Sequence, residues 1–275
     1  MWFLVPVAIA GEWSSRPVEP RYETDFTAYT VPQKHLRAGI VSLDYGLLEN
    51  ASLGTTPLLY VFGVPNLRAK VTAIRSPKFD ASVQAAVAWR DFDGIVVTSW
   101  PIQANASWIV TPRFSLHGGG RWENVTLSGE ATLDELGTAA AALLGTDLGP
   151  ELDEALSSSG ALYAGAHLSL VQGQLAADWR FNRRDSLILQ WKGWLHLRAR
   201  VDAGYETESE DVRVGVTTQL DRPLDDEAIG VTTLSWQFSW EHLHLRLGLG
   251  IPGQGYGGAG LLAVIEQSAE VYWLF

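Results

Sequence analysis

The chain has 275 residues, 47% of them apolar, with 12 Trp, no Cys and a formal net charge of −11. That composition excludes a disordered chain, and so acidic a chain offers nucleic acid no overall basic attraction. No apolar run after the N-terminus reaches the ~20 residues of a spanning helix, which excludes a helical membrane protein as well.

The chain opens MWFLVPVAIA, an apolar stretch closing on Ala8 and Ala10, the small-residue spacing of a signal-peptidase site ahead of Gly11. Residues 1–10 are therefore expected to be a signal-peptide remnant. No basic segment precedes them, so a misassigned start and an ordinary buried strand stand as alternatives. The polar residues 11–23 are expected to form an N-terminal arm, and residues 24–275 a single domain.

Strand side chains alternate between two faces, so a barrel wall between lipid and a wet lumen alternates apolar and polar residues over about ten positions. Short or irregular candidates lie at 24–31, 36–45, 51–62, 67–74 and 95–110. Clearer copies occur at 81–90, 113–122, 161–171, 175–182 and 212–220. The strongest run sets Leu187, Leu189, Trp191, Leu195, Leu197, Ala199 and Val201 against Gln190, Lys192, His196, Arg198, Arg200 and Asp202. After it, Thr232, Leu234, Trp236, Phe238 and Trp240 alternate with Thr233, Ser235, Gln237 and Ser239. Leu243, Leu245, Leu247, Leu249 and Ile251 then alternate with His244, Arg246, Gly248 and Gly250.

Turn-forming residues at 47–50, 64–66, 91–94, 111–112 and 182–185 make neighbouring strands antiparallel. The expected fold is an all-β, transmembrane, antiparallel up-and-down barrel of 12–14 strands. Counting 24–31 as a strand gives 14; dropping it and losing or merging one more gives 12. The longest insertion, 124–159, falls on the extracellular side. Its Thr132-Leu133-Asp134-Glu135 has capping-box spacing, so this loop is expected to be partly helical, a cap or plug.

The last strand, Gln267 to Phe275, places Ala269, Val271, Trp273 and the terminal Phe275 on one face. It resembles the C-terminal signal of bacterial outer-membrane barrels, with Glu270 where Gly is common. The resemblance implies recognition by the barrel-assembly machinery through Val271, Trp273 and Phe275, and residence in the outer membrane. Trp89, Trp108, Trp122, Trp179, Trp240 and Trp273 near strand ends read as aromatic girdles, which favours a barrel over a soluble β-sandwich.

With the polar faces turned inward, the expected pore lining is Arg68, Lys70, Arg90, Arg113, Arg121, Arg180, Lys192, Arg198, Arg200, Arg213 and Arg246, with Glu266 and Glu270. His117, His167, His196 and His244 join it. Such a basic lumen would pass small, preferentially anionic solutes, since charged rings set selectivity. The alternative is a lumen filled by ion pairs in a non-conducting structural or adhesive barrel. A third reading is an esterase using His167 and Ser169 with Asp178 or Glu241, although both partners are expected to face the lumen and not lipid. His242 and His244 share a spacing with metal pairs but lack further ligands; no metal or cofactor is expected.

Overall fold

The computed structural model describes residues 26–92, 95–129, 163–182, 184–206, 213–223, 230–240, 242–252 and 269–275. The strands are β1 (Leu36–Gly39), β2 (Leu43–Leu48), β3 (Ala51–Thr55), β4 (Asn66–Arg75), β5 (Phe79–Phe92), β6 (Ile95–Thr111) and β7 (Phe114–Gly129). They continue as β8 (Tyr163–Arg180), β9 (Asp185–Glu206), β10 (Arg213–Pro223), β11 (Gly230–Ser239), β12 (Leu243–Pro252) and β13 (Glu270–Leu274), with a single helical turn α1 (Pro57–Val61) between β3 and β4.

All ladders are antiparallel, and β13 pairs with β1, which closes the sheet. The descending chain after β9 is laid against it in two pieces. β10 pairs with Glu206 back to His196, and β11 with Gly193 back to Asp185. Together they form one wall strand, and the result is a closed 12-strand antiparallel barrel. Four differences from the 14-candidate sequence reading produce that number. The 36–45 candidate is two strands turning at residues 40–42, the 161–171 and 175–182 candidates are one strand, and 212–220 and 231–241 are parts of another. The 24–31 candidate is not a strand over its described residues 26–31.

Turns at one end are short and locally bonded. Ser76 accepts the Phe79 amide and donates to its carbonyl. The Asn182 side-chain oxygen accepts the amides of Arg184 and Asp185, an Asx turn that reverses β8 into β9. At the other end β7 runs to Gly129 and β8 begins at Tyr163, so the insertion starts later than 124; the helical part expected to open at Thr132 lies outside the described residues.

The wall is uneven. β6, β7, β8 and β9 have 17, 16, 18 and 22 residues, whereas β1, β2, β3 and β13 have 4, 6, 5 and 5. At about 3.3 Å per residue, the first group rises well beyond the second.

Side-chain burial follows the alternation. On β11, Thr233, Ser235, Gln237 and Ser239 are buried while Leu234, Trp236, Phe238 and Trp240 just beyond its end are exposed. The barrel is thus polar inside and apolar outside along this strand, the reverse of a soluble protein. Trp89, Trp108, Trp122, Trp179, Trp240 and Trp273 all lie exposed on the outer surface. Trp179, Phe181, Trp236, Phe238 and Trp240 form a continuous series of ring contacts near the short-turn end, with centroids 4.9 to 6.2 Å apart.

Candidate functional site

The lumen is occupied by part of the chain itself. Residues 26–31 precede β1 and are all buried, within a ring of strands that are not their sequence neighbours. Backbone groups of this segment, which joins no strand ladder, need partners, and wall side chains supply them. Lys70 donates to the Thr27 carbonyl at 2.6 Å, Thr72 to the Ala28 carbonyl at 2.9 Å, and the Ala28 amide donates to the Ser107 hydroxyl at 2.8 Å. The His117 ring stands edge-on to both Phe26 and Tyr29, and its Nδ1 meets Ser107 at 2.8 Å. Phe26 packs with Ala176 and Ile188, and Val31 with Leu274.

The segment leaves the lumen past Gly46. A Cβ there would run into the Pro32 carbonyl, so only glycine lets the chain lie this close to β2. The Lys34 amide then bonds to the Gly46 carbonyl, with Lys34 in the left-handed region at φ 66°.

Beside this segment runs a chain of buried ion pairs across β12, β13, β1, β2 and β4. Arg246 meets Glu270 at 3.2 Å, and Glu270 meets Arg37 at 2.7 Å. Arg37 reaches Asp44 at 3.6 Å, and Asp44 holds Arg68 in a two-point bond at 2.7 and 2.9 Å. Arg37 is fully buried, also donates to Ser42, and lies 4.2 Å over the Tyr272 ring, on which the His244 ring also stacks. Gly54 faces this network: a Cβ would collide with the Asp44 carboxylate. Elsewhere Arg180 pairs with Asp178 at 3.1 Å and Arg121 with Glu123 at 3.0 Å, Glu123 also accepting from Ser99. Neutral groups add to the filling, as in the Gln103, Asn105 and Gln174 cluster.

Toward the long-loop end the inner face changes chemistry. Val97, Val125, Leu127, Ala166, Leu168 and Leu170 are buried there, while Thr98, Asn124, Thr126 and Ser169 occupy the outer face with the exposed His167 and Ser128.

Of the expected lining, Arg68, Lys70, Arg121, Arg180, Arg246 and Glu270 lie on the inner face with the partners named above. Arg90 and Lys192 are half-buried and register with the inward Val97 and Gln174. Arg113 is not in the wall: it is exposed in the turn before β7, because that strand begins only at Phe114. Arg198 and Arg200 point outward. A one-residue bulge opposite Val171 and Gln172 leaves Leu195 without a register partner, and this reverses the faces of β9 beyond it. The same reversal puts His196 in register with outward-facing Val171, and His167 in register with Arg200. Arg213 begins β10 and Glu266 lies outside the described residues; the side chain of neither is described.

The proposed hydrolytic group is not assembled. His167 and Ser169 are on the outer face, where Ser169 accepts from the Trp122 indole at 2.6 Å, while Asp178 is on the inner face; Glu241 lies outside the described residues. His242 and His244 also separate, the first meeting the Leu274 carbonyl at a turn and the second stacking on Tyr272. Val271, Trp273 and Phe275 face outward, alternating with the buried Glu270, Tyr272 and Leu274.

Sequence reasoning missed Arg37, Asp44, Asp80 and Glu123 as inward charges. Asp44 was legible, since Leu43, Tyr45 and Leu47 alternate around it. Arg37 was hidden because 36–45 looked like one strand.

No family profile and no curated protein sequence matches the chain. Among solved structures, the CymD monoaromatic hydrocarbon channel aligns at 9% identity and a TM-score of 0.40, over 90% of this chain and 68% of that one. A deletion mutant of the TodX monoaromatic hydrocarbon channel aligns at 10% identity and 0.39, over 81% of this chain and 62% of that one. A Rhodopseudomonas blastica porin variant aligns at 7% identity and 0.15, covering 87% and 96%.

Proposed function

We propose that the chain is a channel-type barrel of the bacterial outer membrane, closed near its short-turn end by residues 26–31. The observation that carries the reading is the inside-out burial of β11, with Gln237 fully buried and Trp236 and Phe238 exposed. A closed barrel with an apolar exterior satisfies its backbone without water and has no edge, the condition for spanning a bilayer by strands. On β6 the outward Trp100 and Trp108 lie ~27 Å apart along the strand at about 3.4 Å per residue, close to the band that aromatic girdles bracket. Val271, Trp273 and Phe275, outward at the end of β13, form the signal for barrel assembly.

The finer reading is preference for small anions. Among the described residues, the inward cations Arg37, Arg68, Lys70, Arg90, Arg121, Arg180, Lys192 and Arg246 outnumber the inward carboxylates Asp44, Asp80, Glu123, Asp178 and Glu270. The apolar inner face at the long-loop end extends the class to anions with an apolar body. The ion pairs themselves favour a second reading, a non-conducting barrel whose charges fill and stiffen the lumen.

Planar-bilayer recording separates the two. The channel reading expects conductance that rises when residues 26–31 are removed, with reversal potentials favouring chloride and benzoate over potassium. A silent bilayer with both chains supports the non-conducting barrel, and cation preference removes the anion reading.

A further inference from the structure

The bulge at Leu195 creates a surface as well as removing two arginines from the lumen. Beyond it, register rows run across the outer wall. One joins Trp100, Asn124, Ser169 and Arg198, and the next joins Thr98, Thr126, His167 and Arg200. The row below holds Ile102, Trp122, Val171 and His196. Going toward the long-loop end, the outer face thus passes from apolar and aromatic to hydroxyl, amide and guanidinium within two rows. The Trp122 indole, bonded to the Ser169 hydroxyl, is fixed at the boundary. Arg198, Arg200 and His167 are all exposed just past it.

The geometry points to this outer face of β7–β9 as a binding surface for the phosphate groups of outer-leaflet lipid. Guanidinium groups match phosphate oxygens in charge and in paired hydrogen bonds. A cation one or two rows beyond an aromatic girdle stands where headgroups meet the wall. On the next strand, Asp221 is in register with Arg198 and Gln219 with Arg200. Binding here would fix the height of the tall wall in the membrane.

This inference rests on the outer-membrane reading, and the test keeps the two apart. The full chain is folded in neutral maltoside micelles, and folding is read as a heat-dependent mobility shift on SDS gels. Retention of bis-phosphorylated lipid A and of dephosphorylated lipid A is then compared by native mass spectrometry. The wild type is expected to prefer the phosphorylated form by on the order of tenfold. Arg198→Gln with Arg200→Gln should abolish most of that preference, and the double Lys variant, which keeps the charge and loses the paired hydrogen bonds, should keep part of it. Equal retention of both lipids by the wild type overturns the proposal, as does a double Gln variant that keeps the full preference. So does displacement by equimolar inorganic phosphate, which marks a free-anion site. Absence of any folded band in micelles instead overturns the membrane-barrel reading.

Discussion

The tall wall of β6–β9 and the low seam of β13, β1, β2 and β3 close the same barrel by different means. In the tall wall, β7 and β8 pair without a break from Phe114 opposite Trp179 to Gly129 opposite Ala164. The ladder is long, and the inner face needs few charges along its apolar upper part. At the seam, β1 registers with β13 over Arg37, Ala38 and Gly39, extended by backbone bonds between Leu36 and Phe275 and from Ile40 to Val271, and there Arg37, Asp44, Arg68, Arg246 and Glu270 are linked in one buried network. Burying charge costs several kcal/mol per ion, so such pairs add little net stability. They are nevertheless satisfied in one register alone. A short ladder specifies register weakly, and a guanidinium that finds its carboxylates in a single alignment supplies what the ladder lacks.

The comparison breaks most sharply at Glu270. Glu270→Gln leaves Arg37 and Arg246 without their shared carboxylate and should cost about 3–5 kcal/mol in urea unfolding from lipid vesicles. Glu123→Gln in the tall wall, where Arg121 is partly exposed, should cost about 1 kcal/mol. Next in size is the lumen segment. Lys70→Ala with Thr72→Val removes two bonds to it, each about 1 kcal/mol net and more for the charged donor, so channel opening should become at least about thirtyfold more frequent in bilayer recordings. Gly54→Ala, which pushes on Asp44, should destabilise by about 1–3 kcal/mol in the same unfolding assay and should have little further effect once Glu270 is replaced. The smallest change tests the bulge. In a chain with no native Cys, Arg198→Cys should react with a membrane-impermeant maleimide and Gln190→Cys on the same strand should not. Deleting Leu195 should protect position 198.

Legibility in the sequence followed the same division. β11, β12 and β13 were readable because their alternation runs without a bulge and each inward or outward assignment follows from the last. β9 was read correctly up to Trp191. Past it, Gly193, Trp194 and Leu195 place two bulky apolar residues side by side, a local sign that the period shifts. Counting alternation straight through it turned Arg198 and Arg200 to the wrong side. The β1 to β2 turn carries Ile40 and Val41, neither of them turn formers, so nothing local announced it. Residues 26–31 read FTAYTV, a plausible strand; what makes them a lumen filling is the set of donors and acceptors on β4 and β6, contacts between residues as much as 79 apart in the chain.

The central claim is that this wall meets lipid outside and a filled polar lumen inside, and β11 tests it most directly. A spin label placed in turn at positions 232 to 238 and read for collision with oxygen and with a water-soluble nickel complex in vesicles should alternate. The even positions should favour oxygen and the odd positions should be shielded from both. Uniform access to the nickel complex, or alternation of the opposite phase, would contradict the account.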